Sequence, residues 1–234
     1  MEPNELALAY LNRNKLFYMD MLEPIRRGSA RLRYAAEDGV LLYDEGGEAW
    51  MLTARDRTGL ERMLEMLPSC DILVGHELWC KEELAARYGL KEEQICRQAA
   101  WMEPEPPAML PFGGELRLLE PEWAPWLYRH YSHAFDGVAY MEGAVARGML
   151  GAFVEGEPAG FVGFHAEGTI GMLEVLPPYR RRGVGEALLR GAVRLALERG
   201  QYAFGQVFTD NAPSLALQRK VGLAVSEEIL YWLF

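Results

Sequence analysis

A chain of 234 residues, half apolar and a quarter charged, is long enough for one large globular domain or two small ones with separate cores. Its formal net charge of −10 argues against nucleic acid, whose phosphates need a basic surface, and no apolar run approaches the length that spans a bilayer, so neither is expected as a partner. The first residues lack the basic start and apolar stretch of a secretory signal, and the chain reads as cytoplasmic.

In chain order, residues 6–10 and 17–27 carry helical spacing, and strand-like runs follow at 30–36, 40–44 and 49–53. A helix (60–67), a strand (71–75), a helix (77–88) and a strand (95–101) complete a first lobe, residues 1–102. Residues 103–114 hold Pro104, Pro106, Pro107, Pro111 and the Gly113-Gly114 pair, a density that breaks helices and strands alike and marks a linker. Beyond it, residues 115–234 form a second lobe. It opens with a strand (115–120), helices at 121–135 and 140–148, and three short apolar strands at 149–155, 158–166 and 169–176 joined by glycine turns. The period then becomes helical, with Val184, Ala187, Leu188, Gly191 and Leu195 on one face and Arg190, Arg194 and Glu198 on the other. A strand (202–208), a helix (212–221) and a last strand (229–234) are expected to finish this lobe. The similar order of elements suggests two lobes of one plan, although residue identity between them is slight.

Cys70, Cys80 and Cys96 have no Cys-x-x-Cys spacing, and the histidines (His76, His130, His133, His165) form no zinc pattern, so no metal is expected. The informative stretch is 172–188. A strand is stopped by Pro177-Pro178, and a short loop, Arg180-Arg181-Arg182-Gly183-Val184-Gly185, opens directly into an amphipathic helix. The first N–H groups of a helix lack internal partners and sit at the positive end of its dipole. Gly183 and Gly185 leave room for close approach to the backbone, and the arginines add charge. Such a loop cradles a phosphate group, or it is simply a solvated basic turn before a helix. A dinucleotide fingerprint would need a third glycine where Leu188 stands, and there is no Gly-Lys-Ser/Thr of a P-loop.

Arg180-x-x-Gly183-x-Gly185, preceded by Val175-x-Pro177, resembles the pyrophosphate loop of the GNAT acetyltransferases. The segment 210–223, with Asn211, Ser214, Gln218, Lys220, Gly222 and Leu223, is similar to a second signature of that superfamily, most of all in its FR47-like and glycine N-acyltransferase-like branch. The resemblance implies a GNAT fold, an α/β (α+β) architecture with a mixed central sheet flanked by helices; with the repeated order of elements, the N-terminal lobe is then expected to be a degenerate GNAT-like copy. It also implies an N-acyltransferase that passes an acetyl (acyl) group from acetyl-CoA to a small-molecule or peptide amine by direct attack. Strands 169–176 and 202–208 would lie parallel and splay apart, with the pantetheine between them. Backbone groups of Leu173 and Val175 would bond the pantetheine and the acetyl carbonyl, and the N–H groups of Arg180, Arg181, Arg182, Gly183, Val184 and Gly185 the pyrophosphate. Asn211 would sit beside the cofactor; capping its own helix is the plainer role. A homodimer is compatible with the sequence.

Two positions depart from the family pattern. Gln218 stands where a tyrosine usually protonates the leaving thiolate, and Thr169 where several members place a carboxylate base. Neither exchanges a proton near neutral pH, which leaves a non-catalytic acyl-CoA-binding sensor as the alternative. The nearby candidates for acid–base work are His165, Glu167 and Glu174. Each also has a structural reading: a hydrogen-bonded histidine, a turn residue, and a carboxylate paired with an arginine in the core. In the first lobe the corresponding junction, residues 54–62, lacks the second small residue and carries Asp56 and Glu61, which would repel a diphosphate. One CoA site per chain is the expectation.

Overall fold

The computed structural model describes residues 2–132 and 137–234. The chain divides into two compact units: residues 1–99, 206–212 and 225–234 form the first, and 100–205 with 213–224 the second.

The first unit begins with α1 (Pro3–Leu11), which starts at a proline and a Glu2/Glu5 capping box. Helix α2 (Met19–Arg27) ends where Gly28 takes a left-handed conformation, φ 79°. Strands β1 (Ala30–Ala36), β2 (Gly39–Asp44) and β3 (Ala49–Ala54) form an antiparallel meander. Helix α3 (Arg57–Glu65) crosses over to β4 (Leu73–Gly75), which pairs parallel with β3. Helix α4 (Lys81–Tyr88) and β5 (Glu93–Ala100) follow.

The second unit contains β6 (Glu115–Leu118), α5 (Ala124–His130), α6 (Gly137–Gly148), β7 (Leu150–Val154), β8 (Glu157–Phe164) and β9 (Ile170–Val175). Its four strands pair antiparallel in the order β6-β7-β8-β9. Helix α7 (Val184–Glu198) packs on β7, β8 and β9 through Val184, Ala187, Leu188, Leu189, Gly191, Ala192, Val193 and Ala196. The buried face is wider than the sequence stripe and leaves Leu195 only half-buried. The chain then runs through β10 (Phe204–Phe208), α8 (Ala212–Val221), β11 (Ala224–Val225) and β12 (Leu230–Leu233). The helix expected over 121–135 ends at His130 in α5; residues 133–136, His133 among them, lie outside the described residues.

The larger sheet is mixed, ordered β1-β2-β3-β4-β12-β5-β10. The last strand therefore does not complete the second lobe, as its place in the sequence suggested. It enters the first unit's sheet antiparallel between β4 and β5, with Tyr231 opposite both Gly75 and Ile95. The physical reason is a slot that β12 alone fills: β4 and β5 each present an edge of backbone donors and acceptors that must be paired. Leu230, Tyr231 and Leu233 are all buried, the signature of a central strand covered on both faces. The continuous limits drawn from the sequence (1–102, 103–114, 115–234) thus differ from the units of the structure at 206–212 and 225–234.

Gly75 makes the insertion possible. A Cβ there would stand 2.2 Å from Cζ of Tyr231, so only glycine lets the ring lie across β4. Gly75→Ala is expected to lower the urea-unfolding free energy by about 1–3 kcal/mol through overpacking. Restoration by the double variant Gly75→Ala/Tyr231→Leu is the accompanying expectation, and an unchanged midpoint in the single variant would contradict this packing.

Candidate functional site

In the second unit β9 is the outer strand of its sheet and pairs only with β8 among the described residues. Its ladder is irregular. Phe161 faces Glu174 and Gly163 faces Gly171, so the single residue Val162 stands against both Met172 and Leu173. Met172 occupies the left-handed region at φ 53°, uncommon for a residue with a side chain. This bulge takes the backbone around Leu173 out of ladder register, the usual way a strand re-aims groups toward a site. At the end of β9 the carbonyl of Val175 accepts from Nε of Arg180 at 2.9 Å.

A short 3₁₀ turn, Pro177–Tyr179, leads into the basic loop. Arg181 is left-handed at φ 62°, and Gly183, the residue before α7, at φ 83°. No side chain caps the N-terminus of α7. Arg180, Arg181, Arg182 and Gly183 are exposed, so the loop leading into the helix terminus carries three solvent-facing arginines beside the unpartnered first N–H groups of α7. The one carboxylate in the first turn, Glu186, is neutralised by Nζ of Lys220 at 2.7 Å and by Arg190 at 2.9 Å. The hydrogen bond from Lys220, then that from Arg190, lowers its pKa. Val184 is buried, and a Cβ on Gly185 would meet only Val175 and Leu217 at ordinary contact distance.

The corresponding junction in the first unit is closed to an anion. Asp56 precedes α3 and accepts from the Gly59 amide at 3.0 Å, filling the helix terminus with its own carboxylate. That backbone hydrogen bond, followed by Arg55, lowers the pKa of Asp56.

The three acid–base candidates gather in the second unit. His165 follows β8, and its amide bonds the Thr169 carbonyl at 3.0 Å to close the turn into β9. Its ring packs on the backbone of Gly171, where a Cβ would lie 2.3 Å from Nε2, and Nδ1 is 2.6 Å from the hydroxyl of Tyr140 on α6. Burial, the largest influence, lowers the imidazole pKa from its ordinary 6.5; Glu167 opposes this and Arg147 adds to it. Glu167 accepts from the Thr169 hydroxyl at 2.7 Å. Glu174 accepts from Ser132 at 2.9 Å and lies 3.7 Å from Arg180, so its partner is the exposed loop arginine and not one in the core. Tyr131 faces both carboxylates: burial, then Glu174 and Glu167, pushes its pKa up to about 12. Gln218 is buried, and its Oε1 finds no partner among the described residues. Tyr131, Ser132 and Tyr140 were not singled out from the sequence; only an aromatic-rich helix at that point hinted at them. Asn211 immediately precedes α8 and groups with the first unit, whereas the basic loop groups with the second.

Residues 115–223 match the model of the acetyltransferase (GNAT) family. This segment, just under half of the chain, is similar to the GNAT acetyltransferases. Solved structures share the fold over nearly the whole chain. A Drosophila protein, 18% identical, matches 99% of this chain and 95% of its own with a TM-score of 0.74. A protein from Novosphingobium aromaticivorans assigned to the GNAT family, 14% identical, matches 93% and 95% with a TM-score of 0.56. A tandem GNAT protein from the clavulanic acid pathway, 15% identical, matches 99% and 93% with a TM-score of 0.51. No curated protein sequence matches the chain. Among the described residues there is no cluster of side chains suited to a metal ion, and no helix is long and apolar enough to cross a membrane.

The lowered pKa of His165 has a consequence for stability. Between its folded value and 6.5 the unfolded chain binds more protons than the GNAT fold does, so stability rises with pH across that window. Acidification from about pH 7 to pH 5 is expected to lower the urea midpoint of the wild type more than that of His165→Gln. Equal losses in the two proteins would contradict a buried, neutral imidazole.

Proposed function

We propose that this chain is an N-acyltransferase that takes an acetyl (acyl) group from acetyl-CoA and passes it to a small-molecule or peptide amine. The observation that carries the reading is the uncapped, glycine-opened N-terminus of α7 beside three exposed arginines. Its chemistry suits a diphosphate: oriented N–H donors, a favourable helix dipole, and no unpaired carboxylate to repel the ligand. In this reading the amides from Arg180 to Gly185 hold the pyrophosphate, and the backbone of Leu173 and Val175 holds the pantetheine arm. Arg180 would release the Val175 carbonyl to do so.

Acetyl-CoA supplies an activated thioester. This chain's residues bind and orient it and manage protons. The bulged backbone at Leu173 offers an N–H for charge developing on the acyl oxygen. His165, kept neutral near pH 7, is the base, with Tyr140 fixing its Nδ1 and Glu167 close by. Glu167 and Glu174, with Tyr131 between them, favour a cationic amine on the acceptor side. No acid is assigned to the departing thiolate, since Gln218 has no proton to give. The first lobe we read as a degenerate GNAT-like copy, a reading favoured by Asp56 filling the helix terminus that a diphosphate would need and by the likeness to a tandem GNAT protein.

Incubation with acetyl-CoA and a panel of amines, with thiol release followed, tests the reading. Turnover is expected, with calorimetry giving about one acetyl-CoA per chain. Saturable binding without turnover of any amine would favour the non-catalytic sensor, and two equal sites per chain would contradict a degenerate first lobe. Two variants separate binding from chemistry. Gly185→Glu places a like charge at the diphosphate position and should abolish acetyl-CoA binding at a stability cost of about 1 kcal/mol or less. His165→Ala should lower kcat by at least about a hundredfold with acetyl-CoA affinity unchanged. Full activity in His165→Ala alongside loss in Glu167→Ala or Glu174→Ala would transfer the role to a carboxylate.

A further inference from the structure

The first unit carries a cleft of ≈ 450 Å³ bounded by the β1–β2–β3 meander and the segment before β4. Tyr43 on β2 and Trp50 on β3 stand directly opposite each other in its lining, their rings 5.2 Å apart and tilted by 58°. Two backbone irregularities fall on other lining residues. Between Leu32 and Tyr34 the register of β1 slips by one, which leaves Arg33 without an opposite residue on β2. A bulge of this kind redirects the side chain it carries. In the β2–β3 turn, Glu48 is left-handed at φ 50°.

The turn before Glu48 is held from beneath. Asp44 is fully buried and accepts from the amides of Gly46 (3.2 Å) and Gly47 (2.9 Å), from the hydroxyl of Ser29 (2.5 Å), and from the guanidinium of Arg27 at 2.8 and 2.6 Å. A carboxylate bonded this heavily clamps the turn and fixes where Glu48 stands in the cleft wall.

The charges facing the cleft do not cancel internally. Arg31 is held by Glu45 at 2.8 Å. Arg33, Glu48 and Asp71 make no ion pair or side-chain hydrogen bond among the described residues. One unengaged cation therefore faces two unengaged carboxylates. Burial, and after it the carboxylates of Glu48, Asp44, Glu45 and Asp71, raises the pKa of the Tyr43 phenol, which stays protonated. The Cys70 thiol in the same wall is pushed up to about 12 by burial and then by Asp71, so it stays protonated and lends no nucleophile.

We propose that this cleft binds a basic amino acid, with its carboxylate on Arg33, its cationic groups on Glu48 and Asp71, and its side chain along the Tyr43–Trp50 face. A polyanion would meet three carboxylates, counting Glu45, and a simple polyamine would leave Arg33 without a partner. A ligand with one anionic and two cationic groups satisfies every unengaged charge, and a guanidinium or ammonium stem lies well on an indole. The site belongs wholly to the first unit and is independent of the acyl-transfer reading.

The test is titration of the full chain with L-arginine, followed by tryptophan fluorescence and by calorimetry. L-norleucine, which lacks the side-chain cation, and agmatine, which lacks the carboxylate, are the comparison ligands. L-arginine is expected to saturate one site, and both comparison ligands to bind at least about fivefold more weakly. Arg33→Gln and Glu48→Gln should each weaken L-arginine about fivefold while leaving the urea midpoint unchanged, since both side chains are exposed. Trp50→Phe should remove the fluorescence change. The proposal is overturned by the absence of saturable binding up to about ten millimolar, by either comparison ligand matching L-arginine, or by binding indifferent to both charge-removing variants.

Discussion

The first N–H groups of an α-helix always lack partners within the helix, and what meets them decides what that helix can do. In this chain the two comparable junctions resolve the problem in opposite ways. Before α3 the carboxylate of Asp56 turns back onto the Gly59 amide, and the terminus is satisfied from within. Before α7 stands Gly183, left-handed and without a side chain, and no side chain among the described residues caps the helix. The donors there remain turned outward, next to Arg180, Arg181 and Arg182, while Glu186 is held by Lys220 and Arg190. The proposed acyl-CoA chemistry rests on that difference more than on any catalytic side chain.

Strand β9 delivers the chain to this junction and shapes the other half of the proposed site. Its bulge opposite Val162 turns the Leu173 backbone out of register, and Pro177 ends the strand so that the loop can form. The same strand brings Glu174 to Ser132 and Arg180, while the turn preceding it ties His165 to Tyr140 and Glu167 to Thr169. A neutral imidazole bonded to a phenol and close to the Glu167 carboxylate suits proton removal from an amine. It does not suit protonation of a thiolate, and the buried Gln218 offers no replacement. A leaving group able to depart without a dedicated acid is consistent with the modest basicity of a thiolate.

Local chemistry made most of the second lobe legible in the sequence. The change from period two to period 3.6 near Val184, the Pro177-Pro178 stop and the glycine turns each follow from the residues on the spot. The destination of β12 was not legible, because strand pairing across the length of the chain depends on an open slot between β4 and β5 and on the absent Cβ of Gly75. Its mark in the sequence was the unbroken apolar run at 229–234, which signals a strand covered on both faces without naming its neighbours. Tyr140 was hidden for a related reason: a tyrosine on an amphipathic helix reads as packing until a histidine from another element is found 2.6 Å away. The Arg33 bulge and the left-handed Glu48 were hidden too, since neither residue type announces a positive φ or an extra residue in a strand.

The claim that the open terminus of α7 is the anion site is tested most directly by backbone amide NMR during titration with CoA and, separately, with pantetheine, which lacks the diphosphate. The account predicts that CoA shifts the amide resonances of residues 180–185 together and saturably, and that pantetheine binds far more weakly and leaves those amides in place. CoA shifts that avoid residues 180–185, or pantetheine shifts there equal to those of CoA, would contradict it.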